Sequence, residues 1–281
     1  MLTISQSDIE LILSEASSVS TDSALGYFSK PFRISFRDND LIMKKYFPIR
    51  DHHIVSAILQ NHDNYVSALR RIGIRLPETI IRAIRIRGKY QILILQEAFN
   101  RNDLVRTRFE ISPINELLML CKLLYDDVLR FVNYPKETLN IGFHPTLRNY
   151  AISNGTLIFF DTFPPMLMTQ RELNKIVIMM SPHGNFLKHL IYPSWINIVT
   201  NEYYNFEKMF TGITGSCCRL RPEHADSILK FSTDYLNNSS CPVAMKQKIN
   251  RMLATPPELP WLWTFFRRIS GNVGKPNIKK L

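Results

Sequence analysis

The sequence predicts an α+β protein of two lobes, a small β-rich N-terminal lobe over residues 1–97 and a mainly helical C-terminal lobe over residues 98–281. Three observations carry this. Between residues 32 and 95 the chain reads as two β-type runs, one long amphipathic helix and two further β-type runs. An apolar stripe at helical spacing follows over residues 116–132. After Pro164-Pro165 the pattern is helical, with breaks at Pro182, Pro193, Pro222, Pro242 and Pro256-Pro257. A chain of 281 residues, 45% hydrophobic, can bury one large core or two lobes.

Each element has its own signal. Ser7 and Glu10 form a capping-box pattern around Ile9, Leu11, Ile12 and Leu13, which predicts an opening helix. Residues 17–26 read as a polar loop. Residues 32–36 and 41–47 read as strands joined by the turn-like cluster 37–40. From Asp51 to Ile72, the positions Ile54, Val55, Ile58, Tyr65, Ala68 and Leu69 recur at helical spacing, and Gly73 supplies a stop. Residues 79–86 and 90–95 read as strands around the turn Arg87-Gly88-Lys89. Leu117, Leu120, Cys121, Leu124 and Val128 mark a long buried helix. Trp261, Trp263, Phe265 and Phe266 read as a packing staple for the last helix.

Composition excludes some classes and leaves others open. The first residues have neither a basic n-region nor a long apolar run, and the longest strongly apolar stretch, residues 176–180, is too short to span a bilayer. Cys121, Cys217, Cys218 and Cys241 lack zinc-like spacing, so a reduced, cytoplasmic protein is the expectation. The net charge of +11 is concentrated. Residues 70–108 hold ten basic side chains against Glu78, Glu97 and Asp103, and the last fifteen residues hold five with no acid. Such patches attract polyanions, whether nucleic acid, phosphorylated substrates, acidic proteins or acidic membrane surfaces. No nucleic-acid-binding motif accompanies the charge. The seven histidines form no His-Glu-x-x-His pattern, and neither a Gly-x-Ser-x-Gly elbow nor a Walker-type lysine occurs.

The chemistry concentrates in one stretch, His144-Pro-Thr-Leu-Arg-Asn149-Tyr-Ala-Ile-Ser-Asn154-Gly155-Thr-Leu-Ile-Phe-Phe-Asp161. Asn154-Gly155 is the dipeptide favoured for a type I′ turn, since both positions need positive φ. With that turn, Ser153 pairs with Thr156, Ala151 with Ile158, and Asn149 with Phe160. Asn149 and Asp161 then meet at the open end of the hairpin, where an amide oxygen and a carboxylate suit a hard cation such as magnesium.

That spacing resembles the protein kinase-like superfamily, which includes the aminoglycoside phosphotransferases. There a catalytic loop ends in Asn, a hairpin follows, and a metal-binding Asp closes it. Residues 139–149 look like the loop and residues 156–163 like the metal-binding strand. The resemblance implies a two-lobed protein kinase-like fold, ATP and Mg2+ as cofactors, and Asn149 and Asp161 as metal ligands. It gives Lys44 the place of the strand lysine that grips the phosphates. Neighbouring Lys45 points to the opposite face, so register decides between them. Asp63 is the acid in mid-helix that would hold Lys44. Residues 96–99, including Glu97 and Phe99, look like the hinge whose backbone reads a purine, and Gly26 alone represents the glycine-rich loop over the phosphates.

Two departures matter. His144 stands five residues before Asn149, where the family has an Asp that orients or deprotonates the attacking hydroxyl. An imidazole can act as a general base but brings no negative charge. Asp161-Thr162-Phe163-Pro164-Pro165 lacks the usual glycine, and its prolines stiffen the segment, against a long mobile activation loop. The resemblance therefore implies ATP- and magnesium-dependent phosphoryl transfer to a small-molecule or peptide hydroxyl. The alternatives are a pseudokinase that binds or scaffolds an acidic partner, and nucleotidyl transfer on the same metal residues.

Overall fold

Alternation along four strands decides how the N-terminal lobe is built. The structure, a computed structural model, describes residues 4–16, 31–37, 39–46, 48–135, 140–179 and 192–258. Strands β1 (Pro31–Phe36), β2 (Asn39–Lys45), β3 (Thr79–Ile86) and β4 (Lys89–Glu97) form an antiparallel sheet in the order β1-β2-β4-β3. One face presents Leu41, Met43, Ile84, Leu93 and Leu95 to Ile9 and Ile12 of helix α1 (Gln6–Ala16). The other presents Ile81, Ile92 and Ile94 to Val55 and Ile58 of helix α2 (His52–Ile72). Period two along a strand sends adjacent residues to opposite faces, so a sheet covered on both sides must be apolar on both.

Local chemistry sets the joints, with three shifts from the expected boundaries. Ser5, not Ser7, caps α1: its Oγ accepts from Asp8 N–H at 3.1 Å, and Asp8 accepts from Ser5 N–H at 2.9 Å. That is a capping box two residues earlier than Ser7–Glu10. The two hairpins reverse in two residues each, Phe36 pairing with Asn39 and Ile86 with Lys89. Strand β4 runs on to Glu97, paired with Leu41, so Gln96 and Glu97 belong to the sheet and not to a turn after Leu95. Helix α2 matches its expected bounds. Asp51 caps it by accepting from His53 N–H at 2.8 Å, and Gly73 ends it at φ 93°, a left-handed position that favours glycine.

The second half of α2 leaves the sheet and enters the core of the C-terminal lobe. Tyr65, Ala68, Leu69 and Ile72 pack with Leu117, Leu124 and Phe131 of helix α4 (Ile114–Asn133). A short helix α3 (Val105–Ile111) precedes α4, and the hairpin β5 (Tyr150–Ser153) and β6 (Thr156–Phe159) follows it. The rest is helical: α5 (Gln170–Met179), α6 (Tyr192–Asn201), α7 (Phe206–Leu220), α8 (Ala225–Asn237) and α9 (Val243–Met252). Pro222 and Pro242 sit at helix boundaries as expected. Pro193 lies in the first turn of α6 and so starts that helix instead of breaking one. The polar loop 17–26, Pro182 and the aromatic run 261–266 lie outside the described residues. Among the described residues no helix is long and apolar enough to cross a membrane.

The α4–α7–α8 packing centres on Tyr125, which is fully buried and stacks on Phe210 with ring centroids 4.3 Å apart. Its hydroxyl lies 2.9 Å from Thr214 Oγ1 and 2.6 Å from Ser232 Oγ. Thr214 and Ser232 also lie within hydrogen-bond reach of the Phe210 and Ile228 carbonyls. Three hydroxyl protons thus serve four contacts, so one contact is always without its proton. Tyr125→Phe should lower stability by about 1–2 kcal/mol, since it removes the group joining three helices but leaves Thr214 and Ser232 their own carbonyls. Urea unfolding with an unchanged m-value is the measurement that checks this.

Candidate active site

The hairpin adopts the turn its sequence encodes. Asn154 and Gly155 take φ 50° and 70°, and the register pairs Ser153 with Thr156, Ala151 with Ile158, and Tyr150 with Phe159. Beyond the last pair, Phe160 N–H donates to the Asn149 carbonyl at 3.0 Å, which brings the open ends together. The four residues at that end are held by three other parts of the chain. Phe159 N–H donates to the Arg75 carbonyl at 2.8 Å, in the loop after α2. The Phe160 carbonyl accepts from Lys44 Nζ at 3.2 Å. Asp161 Oδ1 lies 3.9 Å from the same ammonium, and Thr162 Oγ1 lies 2.9 Å from His62 Nε2.

Register settles the choice of lysine. Lys44 lies opposite Ile94, on the face that α2 covers, and its side chain is 11% exposed. Lys45 turns to the other side, over the Phe32 ring at 4.9 Å. Burial lowers the Lys44 pKa and raises that of Asp161, and in each case the partner's charge opposes the shift. Arg148 adds positive charge near the carboxylate; burial, and then Arg106, push the Arg148 pKa down to about 10 while Asp161 opposes the change. Asp161 thus sits among cations, an environment matched to a polyanion bridged by a metal.

Asn149 has the geometry of an oxygen donor. Its Nδ2 donates to the His144 carbonyl at 2.9 Å, and that bond fixes the amide so that Oδ1, not the nitrogen, is left for a cation. Among the described residues no three His, Cys, Asp or Glu side chains cluster to hold a metal. An ion here would need oxygens from a bound phosphate as well, which is how magnesium is commonly held.

Two expected residues, Asp63 and Glu97, stand elsewhere. Asp63 does not reach Lys44: its side chain is 72% exposed, and Asp161 is the acid beside the ammonium. One residue on a helix is a rotation of about 100°. That step turns Asp63 to solvent and its neighbour His62, 1% exposed, inward to Thr162. A search for charge passes over His62, although it falls on the buried stripe of Val55, Ile58, Tyr65 and Leu69. The hinge differs too. Glu97 is exposed and its N–H donates to the Glu78 carbonyl at 3.3 Å, while Ala98 N–H donates to the Asp40 carbonyl at 2.9 Å. Those amides are committed to the sheet and are not available to a purine. Phe99 is half-buried, its ring centroid 6.0 Å from that of Phe160, so it contributes an apolar wall beside Asp161. Gly26 lies outside the described residues, as does Leu139 at the start of the loop.

His144 packs against Tyr203, ring centroids 4.3 Å apart, with Nδ1 at 3.5 Å from Asn149 Nδ2. Burial, with Arg148 adding to it, depresses its pKa to about 3. An imidazole with so little proton affinity is a poor general base near neutrality, where a base works best with its pKa close to the ambient pH. The geometry favours the orienting half of the expected role: the ring packs on Tyr203 beside the Asn149 amide.

Comparison with known proteins gives a family but not an activity. Residues 10–274 match the family described as a family of unknown function (DUF6206). No curated protein matches the chain. Among solved structures, the crystal structure of the Legionella pneumophila LegK7 effector kinase is similar at a TM-score of 0.39 and 12% sequence identity. The alignment covers 94% of this chain and 66% of that one, so this chain spans about two thirds of the kinase's length. With a family match running over nearly its whole length, the chain belongs to the DUF6206 family.

Proposed function

We propose that the chain is an ATP- and magnesium-dependent phosphotransferase of kinase-like architecture, acting on a small-molecule or peptide hydroxyl. The observation that carries the reading is the Lys44–Asp161 pair, 3.9 Å apart, at the open end of the Asn149 hairpin. Asp161 and Asn149 Oδ1 would hold magnesium, and Lys44 and Arg148 would face the phosphates. The metal, when bound, neutralises charge developing on the transferred group and fixes the phosphate oxygens in place. Lys44 contributes an ammonium already oriented by the Phe160 carbonyl, so little reorganisation is needed when a phosphate replaces Asp161 as its main partner. Phe99 and Phe160 supply the apolar side of the cleft. His144, neutral and fixed against Tyr203, would hydrogen-bond the acceptor hydroxyl. Phosphoryl transfer depends chiefly on positioning and charge stabilisation, so an enzyme without a carboxylate base remains chemically coherent, at a lower rate.

A second reading is favoured by one specific feature, an imidazole, His144, in the place of the family's catalytic carboxylate. On that reading the same residues bind magnesium nucleotide without transfer, as in a pseudokinase that engages an acidic partner.

Thermal-shift titration tests the site. Magnesium and ATP together should stabilise the protein, by about 2.7 kcal/mol at one hundred times Kd. Asp161→Asn and Lys44→Met should each abolish most of the shift. No shift with any nucleotide would defeat both readings, and a shift lost in Asp161→Asn with no turnover on any acceptor class would select the pseudokinase.

Acid titration tests His144. Unfolded, the imidazole binds its proton near pH 6.5; folded, it does so only near pH 3. Between those values the unfolded chain holds the extra proton, so the stability contributed by His144 is complete above pH 6.5 and falls as the pH drops toward 3. Asp127 acts oppositely: its folded pKa of about 7 favours the folded chain as pH falls from 7 toward 3.8. The difference between wild type and His144→Gln isolates the first effect. Urea midpoints between pH 7 and pH 4 should fall less steeply in His144→Gln than in wild type.

A further inference from the structure

Of the ten basic side chains in residues 70–108, three gather at one end of the β3–β4 hairpin. At the tip, Arg85, Arg87 and Lys89 are exposed, and Arg50 is exposed on the neighbouring segment that bridges to the hairpin through Ile49 and Tyr90. Among the described residues none of these four makes an ion pair. The adjacent acid, Asp51, is engaged in capping α2. Glu78 and Glu97 lie at the other end of the hairpin, joined by their backbones, roughly 25 Å away at strand rise. Ile86 projects between the bases with 44% of its surface exposed.

The arrangement distinguishes between polyanions. Nucleic acid is gripped by basic side chains together with open aromatic faces on which bases stack. Tyr90 is the aromatic at this tip, and its ring is already engaged by the Arg85 guanidinium at 5.9 Å and the His52 ring at 5.3 Å. Lys89 and Ile86 lie on the α1 face, Arg85 and Tyr90 on the α2 face, and Arg87 in the turn between them. Charge that surrounds a tip with an exposed isoleucine suits a planar anionic layer with an apolar interior, entered end-on. We propose that the β3–β4 tip is a docking element for an anionic lipid surface, with Arg50, Arg85, Arg87 and Lys89 contacting headgroups and Ile86 entering the acyl boundary. The proposal does not rest on the nucleotide reading.

Co-sedimentation of the full chain with lipid vesicles tests this. Binding is expected to vesicles containing about one third phosphatidylserine, not to phosphatidylcholine alone, and to weaken steeply with salt. Arg87→Asn with Lys89→Ser should reduce partitioning about thirtyfold, at roughly fivefold per charge. This variant keeps the fold testable. Arg87 has φ 48°, and an asparagine ahead of Gly88 makes the preferred type I′ pair, so the melting temperature should not fall. Ile86→Ser should weaken binding while leaving the salt dependence unchanged. Absence of binding, equal binding to neutral vesicles, unaffected variants, or binding to single-stranded RNA but not to vesicles would each overturn the proposal.

Discussion

Residues 159–162 are fixed by partners that come from four parts of the chain, and the candidate site depends on that arrangement. Strand β6 has only one neighbour in its own sheet, so its outer backbone groups must find partners elsewhere. Phe159 N–H finds the Arg75 carbonyl, Phe160 N–H the Asn149 carbonyl, the Phe160 carbonyl Lys44, and Thr162 the imidazole of His62. These bonds fasten the end of the hairpin to α2, to the loop after it and to β2. Asp161 sits in the middle of this segment, and its position relative to Lys44 follows from backbone bonds more than from the ion pair itself.

The ion pair is a weak source of stability. Burial disfavours the charged form of both partners, and each offsets only part of the other's cost. With Arg148 close by and Arg106 behind it, the cleft holds more positive than negative charge. A protein gains little stability from such a cluster, but a phosphate with its metal would complete it. Burial, with Arg148 adding to it, lowers the proton affinity of His144 in the same cleft.

Helix α2 shows where sequence reasoning succeeds and where it picks the wrong residue. Its bounds are legible because Asp51 and Gly73 act locally, through side-chain and backbone bonds within a few residues. Choosing the partner of Lys44 by charge puts Asp63 in a role that helix geometry denies it. The acid beside Lys44 is Asp161, and the residue that periodicity turns inward from α2 is His62, whose own partner, Thr162, lies one hundred residues away. The end of β4 shifts for a related reason: the extra pairing of Gln96 and Glu97 depends on the reach of β2, which residues 90–95 do not encode.

The sequence by itself determined the hairpin, its register and the pairing of Asn149 with Phe160, because a type I′ turn and a period of two leave no other pairing. It also determined the two-lobed α+β order, since hydrophobic periodicity is local. The tertiary structure decided the rest: that Lys44 and not Lys45 faces the carboxylate, that Asp63 turns to solvent while His62 turns inward to Thr162, and that burial lowers the proton affinity of His144. Those outcomes depend on which strand covers which face and on how much water the packing excludes, and neither is a property of any short stretch of chain.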